Sequence, residues 1–305
     1  MKGHAGWFAG LGILVLAGSA AAQTPAGSAL SGKEDAYQGM TLNTAFSGSI
    51  DSGSHVYEWT TAAGYMFNPH FAVNFGVPVL FTRATGSTGT TTSNSGVGDV
   101  FGQAQFVMKS PAINFGSALT TGLPTGNSSE GLSTGRVTVD WTSQVAREFG
   151  RWTPYASAGV ANSLMDSRYW HRPYATLGAL GHFEAGTAFD LGRSLTLSAS
   201  AYDIAPWGNQ KVYSRVVPKG GPGGPGGAAG ASSHGRVFQN GYLTSGGAEI
   251  DRDNGFNTDL DFSPLRYLDF DVAYSHSMHF QLDTVSFSVG LNLTPLLRKR
   301  GIFGN

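Results

Sequence analysis

Cysteine is absent from the 305 residues, which excludes a disulfide framework, a cysteine-ligated zinc site and thiol catalysis. Charge is scarce, with Asp, Glu, Lys and Arg together making up 13% of the chain. The balance of 19 basic and 20 acidic residues leaves a net charge of −1, so the chain carries no electrostatic footprint for nucleic acid. Long apolar runs are also missing. No stretch after the N-terminus approaches the roughly 18 unbroken apolar residues that a membrane-spanning helix needs. What the chain does have is glycine, 44 residues of it, and aromatic residues at 12%. So little charge is unusual in a protein bathed in water and ordinary in one whose outside meets lipid.

The N-terminus reads as an export signal. Lys2 supplies a positive start, Gly10–Leu16 form the core of a short apolar segment, and Ala20-Ala21-Ala22 offer a cleavage site before Gln23. The apolar run is too short to span a bilayer, so a signal peptide over 1–22 is expected rather than an anchor. Residues 23–39 are polar and rich in Gly and Ser, an expected flexible periplasmic lead-in.

From Met40 onward the dominant pattern is alternation. Val137, Val139, Trp141 and Val145 share one parity, while Arg136, Thr138, Asp140, Thr142, Gln144 and Glu148 share the other. Successive side chains of a strand point to opposite faces, so such a run has one greasy face and one wet one. Similar runs recur near 40–47, 57–67, 71–81, 97–108, 113–123, 153–163, 175–190, 194–204, 255–263, 267–280 and 285–293. The connections alternate between tight turns, as at Lys109-Ser110-Pro111 and Gly150-Arg151, and long polar loops, as at 125–135 and 165–174. Short turns on one side and long loops on the other predict an all-β chain. It closes as an antiparallel transmembrane β-barrel over 40–293, of about twelve strands, with ten or fourteen as alternatives. The parity slips near Tyr202–Ile204, which suggests a bulge or the upper rim. Alternation fades over 206–254, the longest predicted outer loop, which contains the low-complexity tract GGPGGPGGAAGASSHG.

Several segments carry a resemblance. GVGDV at 96–100, LPTGNSSEGLSTG at 123–135 and DWTSQVAREFGRW at 140–152 resemble a large group of Gram-negative outer-membrane β-barrels. These are known as transporters or as phenol-degradation (meta-cleavage) pathway proteins. VNFGVPVLFT at 73–82 is similar to that family's strand with a Val-Pro pair. The likeness covers about residues 70–165 and is generic elsewhere. It implies an outer-membrane location, a transporter role and solutes that include aromatic or other hydrophobic compounds, but its motifs mark the barrel lineage rather than a substrate. The final strand VSFSVGLNL resembles the one that barrel-assembly machinery reads. The basic tail TPLLRKRGIFGN (294–305) that follows departs from the usual terminal aromatic.

Because closure satisfies the backbone, side chains decide function. The inward parity carries Glu58, Asp99, Gln103, Gln105, Arg136, Asp140, Gln144, Glu184 and Asp190, either a polar permeation path or a lumen whose polar groups hydrate one another. If the hairpin turns at Ser263–Tyr267, Asp261 faces Asp269 and Asp259 faces Asp271. Four inward carboxylates need compensation. Arg266, a bound cation or the tail Arg298-Lys299-Arg300 can supply it, in an acidic constriction near the periplasmic mouth. The alternative is a solvated rim or another register.

In the loop MDSRYWHRPY, Arg168, Trp170, His171 and Arg172 are candidates for contact with an aromatic or anionic solute or with lipopolysaccharide phosphates. Girdle duty explains its Tyr169 and Trp170 equally well. Asp251-Arg252-Asp253-Asn254-Gly255 lacks the ligand spacing of a calcium loop and is expected at a polar loop tip. His276 and His279 lie three apart, on opposite faces of a strand, so they form no metal pair. The Gly-rich tract is not followed by Lys-Ser/Thr, so it is a spacer rather than a phosphate loop. No catalytic constellation, metal or cofactor is implied. The expected function is passive passage of a small solute through an outer-membrane channel, with lipid and lipopolysaccharide around it. The alternative is a non-transporting barrel that adheres, stabilises the membrane or serves as a scaffold through its outer loops. The sequence does not indicate an oligomeric state.

Overall fold

The computed structural model describes residues 38–52, 54–85, 91–164, 166–167, 171–216, 236–239 and 242–299. The expected signal peptide, most of the lead-in, the Gly/Pro tract, Arg168, Trp170 and the last residues of the tail lie outside the described residues. So do the side chains of Arg298 and Lys299.

The strands are β1 (Gly39–Asp51), β2 (Ser54–Asn68), β3 (Phe71–Thr85), β4 (Thr91–Val97), β5 (Val100–Met108), β6 (Asn114–Leu123), β7 (Thr138–Ala146) and β8 (Trp152–Ala161). They continue as β9 (Tyr174–Leu177), β10 (Leu180–Asp190), β11 (Leu195–Pro206), β12 (Gln210–Ser214), β13 (Leu243–Gly246), β14 (Asp253–Leu265), β15 (Leu268–Ser277) and β16 (Leu282–Asn292). One short helix, α1 (Thr294–Lys299), follows.

Thirteen of these strands form one antiparallel sheet that closes on itself. β1 pairs with β2 on one side and with β16 on the other, from Asn43 opposite Asn292 to Asp51 opposite Thr284. β4 and β5 share β3 as neighbour, β4 along its upper half and β5 along its lower half, so together they make one stave of a twelve-stave barrel. The stave breaks at Gly98-Asp99, opposite Pro78. Proline has no N–H to give to a ladder, so a gap opposite it forfeits little. The Gly98 N–H still donates to the Pro78 carbonyl at 2.9 Å. The remaining strands β9, β12 and β13 form a separate three-stranded sheet.

Parity decides what faces where. On β3 the even positions Ala72, Asn74, Gly76, Leu80 and Thr82 are buried, while Phe71, Phe75, Val77 and Phe81 are exposed. Trp59, Leu119, Trp141, Val160, Phe183, Leu197, Val272 and Val285 are likewise exposed on the outer face. An apolar exterior on a closed sheet is stable in hydrocarbon, where backbone groups find partners only within the sheet. Around the short-turn end aromatic rings touch in series. Tyr65 and Phe67 lie 5.0 Å apart by ring centroids, Phe67 and Phe71 5.5 Å, Phe106 and Phe115 6.4 Å, and Phe149 and Trp152 6.0 Å. Such rings form the girdle of a membrane barrel at the level of the lipid headgroups.

Three expectations are corrected. The run 175–190 is not one strand, because Tyr174–Leu177 leave the barrel for the small sheet and the stave begins at Leu180. No parity slip occurs at Tyr202–Ile204, where β11 keeps continuous register with β10 and β14. These apolar side chains sit on the inward parity because Ile204 packs with Leu164 and Leu180 inside the mouth, with Tyr202 against them. The interval 206–254 is not a bare loop, since β12 and β13 lie within it.

The outer face predicts its own sensitivity. Val272 lies mid-strand on β15 and is 56% exposed. The substitution Val272→Arg is expected to destabilise the barrel by about 2–4 kcal/mol in reversible denaturant unfolding from lipid vesicles. A shift below about 0.5 kcal/mol would show that this side chain does not meet acyl chains.

Candidate functional site: the capped acidic lumen

The interior is built from the inward parity of each stave. Asp140 on β7 accepts from Thr142 at 2.9 Å and lies 3.1 Å from the His182 ring on β10. The Tyr155 hydroxyl donates to Glu184 at 3.1 Å, Ser198 to Asp259 at 2.7 Å, and Ser263 to Asp261 at 2.9 Å. Gln103 donates to Thr120 at 3.0 Å, Thr60 donates to Glu58, and Gln144 lies against Gly116. Asp190 takes a bond from Thr196 at 3.0 Å near the short-turn end.

Two of the expected lumen residues sit at the long-loop end of the barrel. Arg136 precedes β7 and is exposed at the long-loop end. Asp99 occupies the break between β4 and β5 and fastens the loop after β6, accepting from the Gly126 N–H at 3.0 Å and the Ser133 hydroxyl at 2.9 Å.

The acidic hairpin keeps its inward face but not its expected register. Asp261 pairs with Asp271, Asp259 faces Ala273, and Asp269 faces Gly290 of β16. The turn is tighter than expected, joining Leu265 to Leu268, and a shift between Phe262 and Leu265 puts one extra residue into β14. Pro264 occupies that bulge, where a missing N–H is tolerated. Asp259, Asp269 and Asp271 are buried and Asp261 is half-buried. A side chain at Gly290 would meet the Asp269 carboxylate, whose oxygens lie 2.6 Å from where its Cβ would stand.

Among the described residues, no barrel strand turns a Lys or Arg inward; Arg83, the one such residue on a stave, is exposed. The cations inside the mouth come from loops. Arg172 and Arg215 belong to the segments around β9 and β12, and both are buried, as is His171. His171 lies 2.7 Å from the Ser47 hydroxyl and 4.0 Å from Glu58, and its N–H donates to Ser49 at 2.7 Å. Arg215 pairs with Asp166 and donates to the Arg172 carbonyl at 3.1 Å. Arg172 donates to the Leu164 carbonyl and lies over the Tyr174 ring at 5.1 Å.

These contacts seat β9, β12 and β13 in the long-loop mouth as a cap. Its apolar centre is Tyr174, Val212, Phe238 and Leu282, with Val216, Ile250 and Phe280 against them. Tyr242 accepts the Gly131 N–H at 2.5 Å and ties the cap to the loop after β6. Gly131 adopts φ 74, and the Ser214 carbonyl lies 2.3 Å from where a Cβ would stand, so only glycine fits.

Asp251 is not a loop tip but fully buried. Its carboxylate lies beside Arg172, with the Thr176 hydroxyl nearby but outside good hydrogen-bonding geometry. Burial pushes the Asp251 carboxyl up to about 6, against the pull of Arg172. Burial would also raise Asp166, but the charges of Arg215, His171 and Arg172 hold it below the usual carboxylate range. Asp253 accepts from Ser277 at 2.5 Å and from Tyr202 at 3.1 Å.

The loop candidates His171 and Arg172 are thus internal latches of the cap. Sequence reasoning missed their partners Asp166, Arg215 and Asp251. The one available signal was the short alternation KVYSRV at 211–216, inside an interval taken as irregular. On the outer surface His276 lies 2.7 Å from Asp283, which also accepts from Tyr274 at 2.6 Å. No cluster of three or more His, Asp or Glu side chains suited to a metal exists among the described residues.

No family model matches the chain, and no curated protein matches it. Solved structures do. An outer membrane channel from Pseudomonas putida F1 aligns at 10% identity over 84% of this chain and 95% of its own, with a TM-score of 0.52. The NanC porin aligns at 8% identity over 82% and 98%, TM-score 0.44. The CymD monoaromatic hydrocarbon channel aligns at 7% identity over 84% and 88%, TM-score 0.39. At such identities the first likeness establishes a shared barrel fold.

Two outcomes are expected of the cap. Replacing Asp166 by Asn leaves Arg215 buried without its partner, a loss on the order of 3–5 kcal/mol where a buried pair is broken. Amide exchange of β9, β12 and β13 should accelerate while β1 and β16 keep their protection; uniform loss would show that cap and barrel do not separate. The Asp251 carboxyl is raised, so the docked cap prefers it protonated. Its contribution is fully present below the ordinary carboxylate range and is lost as pH rises through about 6. Cap protection should therefore rise by about tenfold or more from pH 7.5 to pH 4.5, and Asp251→Asn should flatten that change.

Proposed function

We propose that this chain is an outer-membrane channel that passes a small polar solute passively, with a preference for cations, and that the cap occupies its outer mouth. The observation that carries the reading is the division of charge. Carboxylates line the inward face from Glu58 and Asp140 through Glu184 to the β14–β15 hairpin, while the staves turn no Lys or Arg inward. In a low-dielectric wall such charges concentrate counter-ions and repel anions. An interior of about twelve strands lies between side-chain-filled and open barrels, so it suits small solutes.

The aromatic or hydrophobic solute implied by the family resemblance is less favoured. Apolar inward side chains such as Leu80, Phe101 and Ile204 lie under the cap, and polar groups follow below them. The barrel fold shared with the Pseudomonas putida channel supports transport by analogy only. The apolar exterior fits outer-membrane lipid and lipopolysaccharide, and insertion by barrel-assembly machinery is expected.

The second reading, a non-transporting barrel, draws on how closely the cap fills the mouth. Planar-bilayer recordings under a KCl gradient separate the two. A channel should show a cation-selective reversal potential, and neutralising Asp259, Asp261, Asp269 and Asp271 to Asn should move it towards zero. Unchanged ion preference would remove the hairpin from the selectivity mechanism, and no conductance in a folded barrel would favour the scaffold.

A further inference from the structure

Beneath the cap lies a cavity of about 70 Å³, lined from the wall by Glu58, Asp99 and Phe101 and from the cap side by Asp166 and Arg215. A water needs roughly 10–15 Å³ by the same measure, so the space holds about five waters, or a solute of about four to seven heavy atoms.

Its charges do not cancel. Asp166 and Arg215 neutralise each other as a buried pair. Glu58 is buried, accepts from Thr60 and has only a 4.0 Å approach from His171, whose Nε2 is engaged by Ser47. Asp99 takes the Gly126 N–H and the Ser133 hydroxyl, with the Thr134 backbone N–H as a third donor. A carboxylate offers about four acceptor sites, so both have capacity left for a donor. Arg215 also lines the cavity, and its Nε–H, in a side chain whose residue is only 8% exposed, finds no acceptor among the described residues. A buried donor left unmet is costly, and a ligand oxygen would satisfy it. Phe101 contributes an apolar side chain to the lining.

We propose that this cavity is a binding site for a small protonated amine that also bears an oxygen acceptor. Glu58 and Asp99 take the ammonium group, the Arg215 Nε–H takes the oxygen, and the carbon skeleton lies on Phe101. The acceptor oxygen can belong to a hydroxyl, as in an amino alcohol, or to a carboxylate, as in a small amino acid. The assignment deepens the cation-channel reading by naming a solute class at the mouth, and it rests on that reading for what the site serves.

Calorimetry on the full-length mature barrel in detergent at pH 7.5 tests it without transport. The probes are ethanolamine, glycine, acetate and ethylene glycol. Ethanolamine and glycine should bind, and the tighter of the two identifies the preferred acceptor; acetate and ethylene glycol should give no heat. Glu58→Gln and Asp99→Asn should each weaken amine binding about tenfold or more, while Asp283→Asn, on the outer surface, should leave it unchanged. In the unsubstituted protein, ethanolamine or glycine should slow exchange of the Gly126 amide, a readout that survives if a variant fails to fold. Equal heats for all four probes, no heat for either amine, or affinity indifferent to both variants would overturn the assignment. Amine binding by a barrel that passes no ions would sink the channel reading and spare the site. A cation-selective channel that binds no amine would do the reverse.

Discussion

The seam between β1 and β16 is the constraint from which the rest follows. In hydrocarbon an unpaired backbone N–H or C=O costs several kcal/mol, and a sheet with open edges has a row of them. Pairing the first stave with the last removes both edges at once. Closure then fixes the meaning of parity, because a closed sheet has one inside and one outside. A slip of one residue at the seam would turn every apolar side chain of a strand inward. The polar inward face of β16, with Thr284, Ser286 and Ser288 opposite Asp51, Ser49 and Ser47, holds that register.

Closure also shapes the electrostatics. Among the described residues the staves turn carboxylates inward and no Lys or Arg, with His182 beside Asp140, so the wall by itself is rich in acid. The loops answer it by bringing Arg172, Arg215 and His171 down into the mouth, where Asp166 and Glu58 meet them. Buried pairs of this kind add little net stability, because desolvation offsets most of the Coulomb gain. They do specify position. His171 reaches Ser47, Ser49 and Glu58 of the wall only when the cap is seated, so those contacts define one docked geometry.

Most of the barrel was legible in the sequence because strand parity is a local signal. Phe71, Phe75 and Phe81 announce an outer face without any knowledge of their neighbours, and each predicted run overlaps a stave, although 175–190 begins in the small sheet and β4 was not foreseen. What depends on contacts between distant residues was not legible. The pairing of Asp261 with Asp271 follows from a bulge at Pro264, and nothing in the alternation reports which residue a bulge will absorb. Tyr202 and Ile204 looked like a parity slip because apolar side chains on the inward face make sense only once Leu164 folds in against them. The candidate site divides in the same way. Glu58, Asp140 and Glu184 could be placed from parity alone. Arg215 and Asp251 could not, since their roles arise in a loop whose path is set by side chains 40 or more residues away, as in the pairing of Arg215 with Asp166.

Cap and barrel therefore stand on different footings. A stave such as β2 has 15 residues paired along two neighbours, a ladder that opens only if the whole sheet does. The cap strands have four, five and four residues, and a ribbon that short is not stable alone in water. It persists because Tyr174, Val212 and Phe238 pack onto Leu282 at the top of β16 and because the buried charges find partners there. Those are contacts of docking, not of closure. Releasing them exposes a modest apolar surface and rehydrates Asp166, Arg215 and Asp251, which recovers much of the desolvation already incurred. Undocking is thus expected as a local opening, separable in energy from unfolding of the barrel, that would leave the backbone bonds of the wall in place.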